Sequence, residues 1–265
     1  MHFAGREVGE GIEALRRTVR YVLVVAGATA VAMVGSAPAG LAAVPGPGSN
    51  LRVTAISPGN GDVVGVGAPI EVTFAEPVIN AARAEESIDI ASSKTPTGKF
   101  TWLSNQMVQW TPDQFWPAHS PISVTADGFS TSFETGSKVV GVADIDAHTF
   151  TVSIDDQVVR QMPASMGKPK HPTPVGSFTA LAKEKSVVMD SRTIGIPLSD
   201  PEGYKLTVAD AVRITSGGVY VHSAPWSVGS QGNSNVSHGC INLSPDNAAW
   251  YFDTVRVGDP VTVQA

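Results

Sequence analysis

The chain has 265 residues, 42% hydrophobic and 16% charged, which is enough to bury one or two cores and too apolar for a disordered chain. Asp and Glu number 24 against 18 Lys and Arg, a net charge of −6, and beyond residue 44 there is no Lys/Arg cluster, which speaks against a nucleic-acid partner. One cysteine means no disulfide within the chain, so stability must come from packing.

Residues 1–44 read as a targeting segment. Arg16, Arg17 and Arg20 precede an apolar stretch from Tyr21 to Val34, and small residues follow. Ala37-Pro38-Ala39 offers a cleavage site and Leu41-Ala42-Ala43 a second; uncut, the segment would serve as an N-terminal membrane anchor. Removing residues 1–44 takes away four Arg and three Glu and leaves −7. Either route predicts an exported protein on the outer face of the cytoplasmic membrane, in the periplasm or cell wall. A lipid anchor on an N-terminal Cys is excluded, because the cysteine is at position 240.

Pro45 to Asn50 reads as a linker. A first domain is expected over residues 51–136. Ile70, Val72 and Phe74 alternate after a turn cluster at Ser57–Asp62, and Val108 and Trp110, then Ile122 and Val124, repeat the period of two. Short strands at that spacing predict a β-sandwich without the cysteine pair of antibody domains. Trp102, Trp110 and Trp116 are assigned to packing rather than to a glycan-stacking surface.

From residue 137 the pattern restarts, and residues 137–265 form a second predicted domain. Phe150, Val152 and Ile154 alternate, Asp155-Asp156 makes a turn, and a return strand runs through Val158 and Arg160 to Met162. Strands are also predicted at Ser186–Met189, at Gly218–Val221 ending in His222, and at Val261–Val263. The helix signal comes late: Ser244 as N-cap and Pro245 at the first helical position, with Ala248, Ala249, Phe252 and Val255 turned inward.

The chemistry concentrates in Ser237-His238-Gly239-Cys240-Ile241-Asn242, with His222 upstream. A thiolate nucleophile needs an imidazole to take its proton, and a glycine beside it lets a carbonyl approach consecutive backbone N–H groups. The residues alone leave two alternatives: a cysteine that is merely a small buried hydrophobe, and a zinc site using His222, His238 and Cys240. The absence of a second cysteine weighs against zinc. His2, His119, His148 and His171 offer no recognisable partner.

The run His222-Ser223-Ala224-Pro225-Trp226, continuing through Asn235-Val236 to Ser237-His238-Gly239-Cys240-Ile241-Asn242, resembles the signature of L,D-transpeptidases with a YkuD catalytic domain. Pro163–Gly167, Pro172–Phe178, Met189-Asp190-Ser191 and Gly203-Tyr204 strengthen the resemblance, which points to the mycobacterial type with a single immunoglobulin-like domain. It implies a mainly β protein, an immunoglobulin-like sandwich before a β-rich catalytic domain with a short C-terminal helix.

The resemblance also implies roles. Cys240 would be acylated by a peptidoglycan tetrapeptide stem with loss of D-alanine, and a diaminopimelate amine would take the acyl group to give a 3→3 cross-link. His222 would be the base, oriented by the Ser223 carbonyl, with the Gly239 and Cys240 N–H groups as oxyanion hole. His238 and Asn242 would shape that loop, Tyr204, Met189 and Trp226 would line the donor pocket, and Ser237 and Asn242 count with them as substrate-binding residues. Acyl transfer must exclude water, and the segment from about Met189 to Thr215 is the expected lid. No cofactor or metal is implied, and carbapenems are the expected covalent inhibitors. Hydrolysis at the same site, giving a carboxypeptidase, and a non-catalytic wall-binding module are the alternatives.

Overall fold

The computed structural model describes residues 51–265, so the predicted leader, its cleavage sites and the linker lie outside the described residues. The first β unit contains β1 (Val53–Ser57), β2 (Val63–Val64), β3 (Ile70–Phe74), β4 (Ile88–Ala91), β5 (Gly98–Ser104), β6 (Met107–Pro112), β7 (Pro121–Ala126) and β8 (Phe129–Thr135). They form two four-stranded sheets, ordered β1-β3-β6-β5 and β2-β8-β7-β4.

The period of two decides what lies between the sheets. Ile70, Val72, Phe74, Val108, Ile122, Val124 and Phe133 are all buried in one cluster, each on alternate positions of its strand. Trp110 and Trp116 pack in the same core with ring centroids 5.3 Å apart, and Trp116 Nε1–H donates to Ala68 O at 2.8 Å. Trp102 is half-buried and donates to Glu85 Oε1 at 2.8 Å. Glu85 belongs to a short helix, α1 (Ala81–Glu86), capped by the Asn80 side chain; the sequence reading did not anticipate it.

The second β unit contains β9 (Val139–Asp144), β10 (Thr149–Ile154), β11 (Gln157–Pro163), β12 (Gly176–Thr179), β13 (Ala182–Asp190), β14 (Lys205–Arg213), β15 (Tyr220–Ser223), β16 (Ile241–Leu243), α2 (Pro245–Thr254) and β17 (Pro260–Gln264). The predicted hairpin about Asp155-Asp156 is β10 with β11, where both aspartates take positive φ, at 48° and 66°. One sheet has the order β11-β10-β9-β17-β12 and the other β13-β14-β15-β16. The core lies between them and α2, with Phe150, Met162, Val221, Ile241, Leu243 and Tyr251 among its buried residues.

The helix begins where expected, at Pro245 after Ser244, although the Ser244 side chain makes no capping bond. Its buried stripe differs from the expected one: Ala248, Tyr251 and Val255 are buried, while Ala249 and Phe252 are half-buried. Phe252 instead lies under two ammonium groups, Lys183 Nζ at 4.8 Å and Lys185 Nζ at 4.9 Å from its ring centroid.

Backbone bonds stitch the two units together. The Gly65 N–H donates to Val257 O and the Gly67 N–H to Gly258 O, both at 2.8 Å. At Gly65 a Cβ would come within 2.0 Å of Asp259 N, so the approach needs glycine. No helix among the described residues is long and apolar enough to cross a membrane.

Candidate active site

Strands β15 and β16 run parallel with Val221 opposite Ile241, His222 opposite Asn242 and Ser223 opposite Leu243. Side chains alternate across a sheet, so Val221, Ile241 and Leu243 enter the core while His222 and Asn242 share the other face. One step back along this register places Cys240 opposite Tyr220, on the same face as His222. With strands about 4.8 Å apart and a rise of about 3.3 Å per residue, the His222 and Cys240 backbones are diagonal neighbours roughly 8 Å apart. Both side chains border a cavity of about 290 Å³.

His222 is 3% exposed, and its Nδ1 lies 2.9 Å from Ser223 O. A carbonyl can only accept, so Nδ1 carries the proton and Nε2 keeps its lone pair. Burial lowers the imidazole pKa, and the Ser223 carbonyl opposes that only in part. The thiol moves the other way. Burial among Met189, Leu206 and Val208 pushes Cys240 up to about 11, against a smaller lowering by the Tyr220 backbone. Its Sγ lies 3.9 Å from Gly218 O, a weak S–H donation. Both shifts favour a neutral thiol beside a neutral imidazole at pH 7.

The turn that carries the thiol is held from several sides. Ser237 Oγ donates to Cys240 O at 2.6 Å and accepts the Gly239 N–H at 3.0 Å. Gly239 has φ of +119°, a conformation that side chains strongly disfavour. The expectation of two free oxyanion donors is therefore modified: the Gly239 N–H is already engaged. The Cys240 N–H, beside the thiol, makes no such bond among the described residues and can meet an oxyanion without breaking one. Thr173 Oγ1 donates to Gly239 O at 2.9 Å and itself accepts the Gly167 N–H at 2.9 Å.

Asn242 borders the cavity, yet its amide donates to Ser227 Oγ at 3.1 Å and its N–H to Ser165 O, so it also braces the strand. Trp226 sits at the rim, 56% exposed, its ring 6.0 Å from that of His222. Met189 and Tyr204 border this cavity and also a second one of about 480 Å³, which Asp190, Arg213 and Gly218 line. Cys240 and His238 border both. Cys240 thus lies between the two cavities. Burial, then the proximity of Cys240, raises the Tyr204 pKa and keeps its phenol protonated.

His238 is half-buried between the rings of Tyr204 and His171, each 5.0 Å away, and its Nε2 lies 3.3 Å from Lys168 Nζ. The zinc alternative named the wrong trio. Among the described residues, the ligand atoms with metal-like spacing, within 4.8 Å of one another, belong to His171, Glu202 and His238. Lys168 and Lys170 already occupy both Glu202 oxygens, at 2.6 and 2.8 Å. Three of the four histidines without a recognisable partner acquire one, His119 meeting Asp155 at 3.3 Å, His148 meeting Asn235 at 3.1 Å and His171 meeting Glu202 at 3.2 Å, while His2 lies outside the described residues.

Sequence reasoning assigned no role to Thr173, Ser165 or Asn235. Asn235 Oδ1 accepts the Met166 N–H while its Nδ2 donates to Ile145 O, and Ser165 Oγ donates to Ser234 O. These bonds span between 66 and 90 residues, so local spacing carries no trace of them. The expected lid is also shorter than Met189 to Thr215. Met189 and Asp190 close β13 and Lys205–Arg213 form β14, which leaves a 3-10 turn at Ser191–Ile194 and the loop to Tyr204 outside the sheet.

Comparison with known proteins gives a consistent picture. Residues 138–263 match the model of the L,D-transpeptidase catalytic domain, YkuD, and residues 46–131 that of a bacterial Ig domain. The chain is 55% identical over 249 residues to L,D-transpeptidase 1 of Mycobacterium tuberculosis, covering 94% of this chain and 99% of the relative. A solved L,D-transpeptidase from Mycobacterium smegmatis is 68% identical with a TM-score of 0.78, covering 81% of this chain and 99% of its own. An L,D-transpeptidase solved in complex with imipenem is 58% identical with a TM-score of 0.77, covering 80% of this chain and 99% of its own.

Proposed function

The chain belongs to the L,D-transpeptidases with a YkuD catalytic domain, and we propose that it cross-links peptidoglycan stem peptides with Cys240 as nucleophile. The observation that carries the assignment of roles is the His222 Nδ1–H bond to Ser223 O, which supports an Nε2 lone pair available in the cavity that Cys240 shares.

Cys240 Sγ attacks the carbonyl that links the third residue of a donor stem to its terminal D-alanine, while His222 Nε2 takes the thiol proton. Charge develops on the carbonyl oxygen, where the Cys240 N–H donates; a device of this kind typically contributes about 10²–10³ in rate per donor. The C–N bond breaks, the imidazolium returns its proton to the departing amine, and D-alanine leaves behind a thioester. A side-chain amine of a diaminopimelate on a second stem then attacks that thioester. His222 accepts the amine's surplus proton and returns it to the thiolate as the new amide forms. Met189 and Trp226 hold the donor, Tyr204 lies against the oxyanion, and Ser237, His238 and Asn242 keep the turn in shape.

The apolar walls of the smaller cavity support a donor complex from which water is excluded, which favours aminolysis over hydrolysis. Imipenem, which a similar transpeptidase binds, is expected to acylate Cys240. The leader predicted at residues 1–44 puts the enzyme outside the cytoplasmic membrane, where its substrate is.

The test is incubation with a disaccharide-tetrapeptide, products read by mass spectrometry, with Cys240→Ala alongside. A dimer lacking one D-alanine, absent from the variant, is the expected result. Loss of D-alanine without dimer would make the protein a carboxypeptidase, and no Cys240-dependent product would remove the enzymatic reading.

A further inference from the structure

The loop between β13 and β14 is held at two places. At its base, buried Ser191 exchanges bonds with both ends: its N–H donates to Tyr204 O at 2.9 Å, the Tyr204 N–H donates to its Oγ at 3.0 Å, and its Oγ donates to Ile196 O at 2.9 Å. The loop then folds on itself, with Asp200 N–H to Pro197 O and Gly203 N–H to Asp200 O. At Gly203 a Cβ would come within 2.4 Å of Pro197 O, so this compaction depends on glycine.

Two residues before Tyr204 stands Glu202, whose carboxylate meets side chains of a different segment, residues 168–171. Lys168 Nζ lies 2.6 Å from Oε1, Lys170 Nζ 2.8 Å from Oε2 and His171 Nε2 3.2 Å from Oε2. These three hold the carboxyl far below the usual carboxylate range, so Glu202 is ionised at any working pH. They all come from one short segment, residues 168–171. That segment is also tied to the nucleophile turn, since the Lys168 N–H donates to Ser237 O at 3.0 Å.

Lys168 carries the connection one step further. Its ammonium has no lone pair, so the 3.3 Å contact with His238 Nε2 makes that nitrogen the acceptor and places the His238 proton on Nδ1. Burial, then the Lys168 charge, lowers the His238 pKa in agreement with a neutral ring. His238 and Tyr204, 5.0 Å apart ring to ring, both border the two cavities that meet at Cys240.

We propose that Glu202 is a positioning residue, an ionic latch that holds the Ser191–Tyr204 loop over the thiol and, through Lys168, fixes His238 as the Nδ1–H tautomer beside it. The inference rests on the acyl-transfer reading of Cys240. Without this carboxylate, Lys168 and Lys170 would lose the counter-charge they share, and the loop would lose its side-chain tie to residues 168–171.

The experiment compares wild type, Glu202→Gln and the charge swap Lys168→Glu/Glu202→Lys. Three things are measured: the second-order rate of Cys240 acylation by imipenem, backbone hydrogen exchange of residues 195–204, and the His238 tautomer from long-range ¹H–¹⁵N correlations. Misplacing groups around a reacting centre by about 1 Å lowers rates by up to about 100-fold, so E202Q is expected to acylate roughly 10- to 100-fold more slowly. Its loop should exchange faster and its His238 should lose the single tautomer; the swap, which restores the 168–202 pair but removes the donor to His238 Nε2, should slow loop exchange again without restoring the tautomer. Acylation within twofold of wild type, with unchanged loop exchange and tautomer, would overturn the latch. If wild type itself is not acylated, the transpeptidase reading falls, and the exchange and tautomer of E202Q decide the latch by themselves.

Discussion

A cysteine enzyme can rest as a thiolate–imidazolium pair or as two neutral groups, and the surroundings of Cys240 and His222 select the neutral pair. Burial raises the thiol from an ordinary 9.0 to about 11 and lowers the imidazole, so each shift disfavours the charged partner. A shift of about two units leaves roughly one-hundredth of the thiolate that an unperturbed thiol would have at the same pH. Alkylation by a small reagent such as iodoacetamide should therefore be about 100-fold slower at pH 7 than that of a free thiol. It should climb about tenfold per pH unit until the thiol titrates near pH 11.

Replacing His222 by Ala separates the two resting states. In the neutral pair the imidazole contributes nothing to the resting thiolate, so the alkylation profile of His222→Ala keeps its shape. Imipenem acylation, which needs a proton acceptor during attack, should fall by about 10²–10⁴-fold in the same variant. Both rates can be followed by intact-protein mass over a pH series. A wild-type alkylation plateau between pH 6 and 8 that His222→Ala abolishes would show a resting ion pair and refute the burial argument.

The residues that do the chemistry were legible because they are local. The motif from Ser237 to Asn242 is contiguous, and the strand period that sends Val221, Ile241 and Leu243 inward turns His222, Cys240 and Asn242 the other way. The sandwich was legible for the same reason, since Ile70, Val72 and Phe74 alternate without interruption. The phase of α2 was harder to read. Trp250, Tyr251 and Phe252 are adjacent aromatics, and only packing against Phe150, whose ring meets Tyr251 edge-on at 4.8 Å, selects the middle one. The capture of the Gly239 N–H by Ser237 was within reach, because a serine two residues before a backbone N–H commonly makes that turn. The ties from Thr173 and Glu202 were not. Their partners lie 66 and up to 34 residues away, and only the completed fold brings them together.

Thr173→Val keeps the shape but leaves Gly239 O and Gly167 N–H without their partner, at about 1–3 kcal/mol for each buried group; the melting temperature should fall by several degrees and imipenem acylation should slow. Unchanged acylation would mean that the turn holds its geometry without that bridge. Gly239→Ala has room for its methyl, the nearest atom being Pro172 O at 3.8 Å, but forces a side chain into φ of +119°, so the loss should appear as strain of about 1–3 kcal/mol in a denaturant midpoint. Asp259 gives a prediction with a defined sign. It is fully buried where the two β units meet, its Oδ2 accepts the Arg256 N–H at 2.7 Å, its Oδ1 has no partner among the described residues, and the charges of Arg256 and Lys183 lie nearby. Burial raises its carboxyl from 3.8 to about 6, so the fold favours the protonated form; that stability is complete below pH 3.8 and is lost as pH rises through 6. A shift of about two units bounds the loss at roughly 3 kcal/mol, so Asp259→Asn should melt several degrees higher than wild type at pH 7.5 and with it at pH 4. The comparison is two calorimetric scans at each pH. A variant less stable than wild type at pH 7.5 would show that the ionised carboxylate, held by Arg256 and Lys183, stabilises the junction instead.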